Sequence, residues 1–306
     1  MTSLENTGRS LVAARPGPVA WIRIRQIRAL ASVLEAIGSR TAGRAFLVRA
    51  RDWPFLRPLL HGLLGCRRTF SDFDAARACA ERYAPLGHEH PHALRSDIGL
   101  ADVTRESDYP VLFHLAPGAA EIRTVFDLGG SVGNLLYCYA RHLPFADAMS
   151  WTVYDLPAKR AEGARLALER AERRLHFTDE LDSASGADLF IVSGAAHYFP
   201  EPVDQMLRRL ARLPQRVIIN RIPCSRGRPL VTVQDGHAYF VACKLHSRDE
   251  LIAGMEQLGY ALRASWPVHE HRLWVPLYPD LSYGHYFGFY FELLPSLNVS
   301  SAAGPA

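Results

Sequence analysis

A short segment with the sequence TVFDLGGSVGN, residues 124–134, places an acidic side chain beside three glycines. Its first half is β-branched and apolar, which favours a strand, and Asp127 stands near the end of that strand. Gly129, Gly130 and Gly133 follow, and glycine lets the backbone turn tightly and approach a ligand because it has no Cβ. In open α/β sheets, ligands bind where such strands end. The segment therefore predicts a binding site at the end of the first strand.

A second acidic residue has the spacing of a ribose contact. The sequence WTVYDLP, residues 151–157, predicts a second strand that ends in Asp155. In doubly wound folds, a carboxylate about twenty residues beyond the glycine turn accepts hydrogen bonds from ribose hydroxyls. Asp155 is therefore predicted to bind a ribose in the same crevice.

The alternation of apolar runs and helical patterns predicts the fold class. We expect an α/β fold with a doubly wound, seven-stranded, mostly parallel sheet and an N-terminal helical region. The further strands are expected near residues 175–177, 187–194, 216–220, 261–270 and 286–293, with helices over 158–174 and 201–213. A hairpin over 230–241 and a helix over 247–258, capped by Ser247, precede the last two strands.

Composition shifts along the chain predict four parts. Residues 1–18 and 296–306 are expected to be disordered tails, residues 19–108 a helical or lid region, and residues 109–295 the core. Within the helical region, helices are expected over 19–38 and 71–83, the second capped by Ser71.

Three segments of the chain together resemble a known family. The pattern Asp127-x-Gly129-x-Ser131-x-Gly133 resembles the first motif of class I S-adenosylmethionine-dependent methyltransferases, with Ser131 in place of the middle glycine. With the stretches FSDFDAA (70–76) and SGAAHYFP (193–200), the chain is similar to a group of bacterial methyltransferases that carry an FGGSxG-like motif, over residues 69–294. The resemblance implies a Rossmann-like fold, S-adenosylmethionine as the cofactor, and a last strand inserted antiparallel between strands five and six.

The residues expected to bind that cofactor follow the ends of four strands. Those after the third strand, Thr178 and Asp179, are expected near the adenine. The full set is Asp127, Gly129, Gly130, Ser131, Gly133, Asn134, Asp155, Leu156, Thr178, Asp179, Ser193 and Gly194.

One histidine is placed to take part in methyl transfer. Positioning supplies most of the acceleration of such a displacement, and a base is needed only when a hydroxyl or amine must lose a proton. His197 follows the small residues at the end of strand four, beside the expected methyl group. It is the predicted base, and a packing or helix-capping role is an equally open interpretation.

The predicted function is methyl transfer to an oxygen or nitrogen of a small metabolite. A nicotinamide-dependent oxidoreductase would share the strand, the turn and Asp155, but it normally has G-x-G-x-x-G, and no third glycine is in register here. A noncatalytic interaction protein with a cofactor fold is the other alternative.

Composition limits the location and the partners. The chain has 306 residues, 48% of them hydrophobic, and lacks the apolar run of about twenty residues that a membrane span needs. Its five cysteines have no CxxC pair, so we expect reduced thiols in a cytoplasmic protein, and we expect no signal peptide.

Two further features keep alternatives open. Arginines concentrate in the first seventy residues, for example Arg23, Arg25 and Arg28, which indicates a solvated helical face rather than a nucleic-acid or membrane surface. These N-terminal helices could also pair two copies into a homodimer. The sequence HEHPH, with His88, is compatible with a metal site, but a loop over the cleft or on the surface is favoured, and no metal is expected.

Overall fold

The structure is a computed structural model that describes residues 18–83, 87–89, 95, 98–236 and 239–295. The predicted tails lie outside the described residues, apart from Pro18, where the first helix begins.

One mixed sheet forms the centre of the protein. Its strands are β1 (Thr124–Leu128), β2 (Ser150–Tyr154), β3 (Leu175–Thr178), β4 (Leu189–Ser193), β5 (Arg216–Ser225), β6 (Leu230–Asp235), β7 (Phe240–Ser247), β8 (Tyr260–Val268) and β9 (Ser282–Leu293). The first five pair in parallel in the order β3-β2-β1-β4-β5. Strand β9 runs antiparallel to both β5 and β8, between them.

These pairings confirm the predicted fold class, including the inserted antiparallel strand. The described sheet has nine strands rather than seven, because the predicted hairpin, β6 and β7, joins it. Strand β5 is longer than predicted, and its last residues Cys224 and Ser225 pair in parallel with His246 and Ser247 of β7. The extension beyond Asn220 therefore gives the hairpin its place in the sheet.

Helices cover both faces of the sheet and form the N-terminal region. They are α1 (Pro18–Gly38), α2 (Thr41–Asp52), α3 (Leu56–Leu64), α4 (Phe73–Glu81), α5 (Asp108–Leu115), α6 (Asn134–Tyr139), α7 (Pro157–Glu169), α8 (Val203–Arg208) and α9 (Arg248–Gln257). Helices α2, α3 and α5 were not predicted, and α7 and α8 are shorter than expected.

Of the two predicted helix caps, one is confirmed and the other is wrong. Ser247 caps α9 as predicted, by accepting a hydrogen bond from the amide of Glu250. The cap of α4 is Asp72 and not Ser71, because the Asp72 carboxylate accepts from the amide of Ala75 at 2.8 Å. The Ser71 hydroxyl instead donates to that carboxylate at 2.7 Å.

Alternate side chains of the strands pack into two cores, one on each face of the sheet. Trp151 belongs to the core beneath α6, and Phe126, Phe190 and Phe289 belong to the core beneath α8 and α9. Successive strand residues point to opposite faces, so the apolar runs of β1 and β4 supply both cores.

The N-terminal helices pack on the hairpin rather than standing apart. Arg28 of α1 forms two hydrogen bonds of 2.7 and 2.8 Å with Asp235 at the end of β6. The amide of Phe70 donates to the carbonyl of Val231 at 2.9 Å. The predicted boundary between residues 108 and 109 stays a prediction. Among the described residues, no helix combines the length and the apolar composition of a membrane span.

Candidate functional site

The turn after β1 contains two successive glycines. Any other residue at either position would force neighbouring atoms to move. Gly129 has φ +71°, and a Cβ there would lie 2.3 Å from the Cβ of Ala195. At Gly130 a Cβ would lie 2.3 Å from a carboxylate oxygen of Asp127. Ser131 follows with φ +57°, a left-handed conformation that is uncommon for a residue with a side chain. The turn is therefore tightly constrained, and its surface carries no side chain at two successive positions.

Asp155 at the end of β2 is bonded to this turn. Its carboxylate accepts one hydrogen bond from the amide of Ser131 and another from the amide of Leu156, both at 2.7 Å. These two bonds tie the glycine turn to the end of β2. Asp155 is half-buried and lines the cavity described below.

Asp127 lies beneath the turn, not on its surface. The side chain is fully buried, and the indole Nε1 of Trp151 donates to one carboxylate oxygen at 3.1 Å. The other oxygen has no hydrogen-bond partner among the described residues. Burial raises the pKa of Asp127 to about 7, because a carboxylate charge is poorly solvated there. Asp127, a predicted cofactor-binding residue, is therefore buried beneath the turn and does not line the cavity described below.

A cavity of about 380 Å³ opens above the carboxyl ends of β1, β2 and β4. It brings together nine of the residues that the sequence predicts for the site. They are Gly129, Gly130, Ser131, Asn134, Asp155, Leu156, Ser193, Gly194 and His197.

The other predicted residues do not line the cavity. Gly133 has φ +90°, and a Cβ there would lie 2.4 Å from a methyl carbon of Leu175. The Thr178 hydroxyl accepts a hydrogen bond from the amide of Glu180 at 3.0 Å. Asp179 forms an exposed ion pair of 2.8 Å with Arg160. A role of Thr178 and Asp179 in binding adenine stays a prediction.

His197 lies in the cavity wall and is almost completely buried. Neither ring nitrogen has a hydrogen-bond partner of good geometry among the described residues, although the Gln234 side chain is near enough to favour the charged form. Burial, reinforced by the nearby His246 and His88, holds the pKa of His197 well below its usual value. The imidazole is therefore neutral at neutral pH and has a nitrogen that can accept a proton.

A buried arginine in the middle of β5 joins four segments around the cavity. Arg221 has φ +55°, at an irregularity in the pairing of β5 with β9. Its Nε donates to the Ser107 hydroxyl at 2.7 Å and to Glu270 at 3.2 Å. The two terminal nitrogens donate to the Ser193 hydroxyl at 2.9 Å and to Asp108 at 2.6 Å. The Arg221 and Asp108 side chains are 5% and 2% exposed, so this ion pair is buried.

Sequence reasoning missed Arg221, although one signal was present. The predicted fifth strand ends at Asn220, and Arg221 is the first residue beyond it, at the edge where ligands bind. Its partners Ser107 and Asp108 come from a distant segment, so their convergence is visible only in the structure.

A second imidazole also faces the cavity. His271 lines it, and its Nε2 lies 3.7 Å from the Glu270 carboxylate. Burial lowers the pKa of His271, while Glu270 acts in the opposite direction. His271 thus differs from His197 in having a carboxylate beside it that would stabilise an imidazolium.

The histidine-rich sequence HEHPH contributes one described side chain to the cavity. His88 lines it, with its ring centroid 4.2 Å from that of Tyr198. His90 and His92 lie outside the described residues. Across the described part of the chain, no group of three potential ligand side chains could hold a metal ion.

Among known proteins, the chain is similar to solved structures only. No protein-family model matches the chain, and no curated protein matches it. A Burkholderia thailandensis 1,6-didemethyltoxoflavin-N1-methyltransferase, crystallised with 1,6-didemethyltoxoflavin and S-adenosylhomocysteine, is 19% identical, with 68% of this chain and 90% of that chain covered and a TM-score of 0.43. The mitomycin 7-O-methyltransferase MmcR is 17% identical, with coverages of 80% and 70% and a TM-score of 0.43.

A third structure, an O-methyltransferase family protein from Burkholderia thailandensis, is 17% identical, with coverages of 78% and 68% and a TM-score of 0.46. At these identities the similarity concerns the fold. The case for a cofactor and an acceptor therefore depends on the residues of the cavity.

Proposed function

We propose that this protein is an S-adenosylmethionine-dependent methyltransferase that methylates an oxygen or nitrogen of a small metabolite. The observation that carries the proposal is the joining of the glycine turn to Asp155 at one end of a cavity whose wall contains His197. The proposal places the cofactor at the glycine turn and the acceptor beside His197, in the same cavity.

The residues of the turn fit the proposed cofactor. Gly129 and Gly130 leave the backbone open to close approach, and the Asp155 carboxylate is the proposed acceptor for the ribose hydroxyls. Ser193 and Gly194 form the neighbouring wall at the end of β4. The cofactor supplies an electrophilic methyl group on a sulfonium. The chain's own part is to bind it, align the acceptor with it and exclude water.

The acceptor end of the cavity suits a small molecule. Rings of Tyr198, Tyr239 and Tyr286 line it, and small-ligand pockets are typically apolar or aromatic with a few polar groups. None of the N-terminal residues Arg23, Arg25 and Arg28 lines this cavity, which supports a small acceptor over a nucleic acid. A macromolecular acceptor would need such an open face.

His197 is proposed to contact the acceptor, as its base or as an orienting group. A neutral imidazole can accept the proton of a hydroxyl or ammonium as the new bond forms. The depressed pKa limits its basicity, and no carboxylate of the described residues acts on the ring to stabilise its charged form. Holding the acceptor close and in line can supply roughly 7 to 11 kcal/mol by itself. An orienting hydrogen bond from His197 would be sufficient for that purpose.

The proposal is tested by methyl transfer from isotopically labelled S-adenosylmethionine to a panel of phenols, hydroxy acids and amines. We expect labelled product from at least one acceptor class, and a large loss of labelling in a folded Asp155→Ala protein. Binding of the cofactor without transfer to any acceptor, small or macromolecular, would support the noncatalytic alternative. Absence of cofactor binding would contradict the proposal outright.

A further inference from the structure

A second cleft lies in the N-terminal region, between α3, the segment that follows it and the carboxyl end of α4. It has a volume of about 840 Å³ and shares no lining residue with the cavity above the sheet. Apart from Cys79 and Tyr83, the ionisable side chains around it are basic. Arg57 and His61 lie on α3, Arg68 lies after that helix, and Arg82 lies after α4. No aspartate or glutamate of the described chain lines it. The cleft is therefore cationic on three sides.

Among the described residues, the three arginines of the cleft have no counter-ion, unlike Arg51, which forms a bidentate contact with Asp280. Within the described residues, Arg57, Arg68 and Arg82 form no ion pair. Uncompensated like charges in one cleft repel each other and destabilise the fold, and a bound anion would remove that repulsion.

The positive charges of the cleft affect the pKa of its histidine. The pKa of His61 is lowered by burial first, and then by the charges of Arg57 and Arg68. These two guanidinium groups, from different segments, therefore act on the same place in the cleft. An anion bound there would contact donors from both.

The donor chemistry suits phosphate. A guanidinium group offers parallel N–H donors that match two phosphate oxygens, and the Tyr83 hydroxyl at the cleft adds another donor. At Gly62 a Cβ would meet nothing within 4 Å, so the helix leaves room for a ligand beside Arg57 and His61. Arg57, Arg68 and Arg82 come from three different segments around a cleft of about 840 Å³, which has room for more than one phosphate. They fit several linked phosphate groups.

We propose that this cleft binds a ligand that carries two or more phosphate groups. Such a ligand could be a soluble polyphosphate or a phosphorylated lipid headgroup. The lipid source is included because Phe55, Leu59 and Leu63 form an exposed apolar stripe on the same helical segment, with Phe55 92% exposed. This site is independent of methyl transfer, because none of its residues lines the cavity above the sheet.

The first test is calorimetric titration of the full chain with sodium tripolyphosphate at low ionic strength. We expect saturable binding, and Arg57→Gln, Arg68→Gln and Arg82→Gln should each weaken it at least fivefold. Arg77→Gln is the matched control: it removes the same charge from α4, but Arg77 does not line the cleft and pairs with Asp74 at 3.4 Å. It should change the affinity less than twofold. No binding, or equal losses in Arg77→Gln and Arg82→Gln, would overturn the proposal.

The second test separates the two sources. Sedimentation with phosphatidylcholine vesicles that contain cardiolipin should show binding if the ligand is a lipid, with competition by tripolyphosphate. In that case Phe55→Ser should lower vesicle binding and leave tripolyphosphate affinity unchanged. Tripolyphosphate binding without vesicle binding would assign a soluble ligand. A single-stranded oligonucleotide that displaces tripolyphosphate at a hundredfold lower concentration would overturn the proposal in favour of nucleic acid.

Discussion

The amide of Ser131 donates a hydrogen bond of 2.7 Å to the carboxylate of Asp155, which joins the turn after β1 to the end of β2. The same carboxylate faces the cavity, where a ribose is expected to bind. Asp155 therefore holds the turn in the free protein and is proposed to contact the ligand in the complex, and the two roles separate experimentally.

Replacing Asp155 by alanine should weaken binding of S-adenosylhomocysteine. Hydrogen bonds to a charged group contribute about 1.5 to 3 kcal/mol, so we expect a loss in that range, measured by calorimetry. Asp155→Asn is the control, because it keeps the shape and one acceptor oxygen, and it should lose less. Unchanged affinity in a folded Asp155→Ala protein would reject the ribose assignment.

Gly130→Ala should destabilise the folded protein. The added Cβ would lie 2.3 Å from a carboxylate oxygen of the buried Asp127, so the turn or that side chain must move. Overpacking of this kind costs about 1 to 3 kcal/mol, and urea denaturation measures it as a loss in unfolding free energy. Gly62→Ala is the control, because a Cβ there would meet nothing within 4 Å. Equal stability of the Gly130→Ala and wild-type proteins would show that the turn is packed less closely.

The raised pKa of Asp127 should make stability fall between about pH 4 and pH 7. In that window the folded protein keeps the proton while the unfolded chain has lost it, so the folded state binds more protons and unfolding becomes easier as pH rises. With a folded pKa of about 7, the contribution lost is at most about 4 kcal/mol. The difference in unfolding free energy between wild type and Asp127→Asn isolates this effect. A difference that does not change across that window would contradict the buried, protonated carboxyl.

His197→Gln should separate a base from an orienting group. A base role requires turnover to fall by about 10²-fold or more while the affinity for S-adenosylhomocysteine is retained. His271→Gln tests a second imidazole of the cavity, whose Nε2 lies 3.7 Å from the Glu270 carboxylate. A fall of only a few-fold for His197→Gln would leave it a structural or orienting residue.

Arg221→Gln should strongly destabilise the protein. Removing the guanidinium leaves the buried Asp108 carboxylate without its ion-pair partner, and breaking such a buried pair typically costs about 3 to 5 kcal/mol. The combined Arg221→Gln, Asp108→Asn protein should recover part of the loss, because no charge is then left unpaired. Denaturation measures the unfolding free energies of this double-mutant cycle. Additive losses would show that the two side chains are not coupled.

The parallel sheet could be predicted because its strands leave a local pattern. Buried strands such as β4 are continuous apolar runs, and the turn after β1 needs glycine at positions 129 and 130 for local steric reasons. Ser247 was predictable as a cap for the same reason, since capping involves residues three apart.

The rest depends on contacts between distant segments. Arg221 meets Ser107 and Glu270 only because the strand bends at a residue with positive φ, which nothing in the neighbouring sequence requires. The pairing of Asp179 with Arg160, away from the cavity, likewise depends on how α7 packs beside β3. Hydrophobic periodicity locates elements, but it does not specify which polar side chains meet.

Calorimetric titration of the wild-type protein with S-adenosylhomocysteine, and separately with NAD⁺ and NADP⁺, tests the central claim most directly. The turn, Asp155 and the cavity predict saturable binding of S-adenosylhomocysteine at one site per chain and no binding of either nicotinamide cofactor. Binding of a nicotinamide cofactor in its place, or of none of the three, would contradict the assignment of this protein as a methyltransferase.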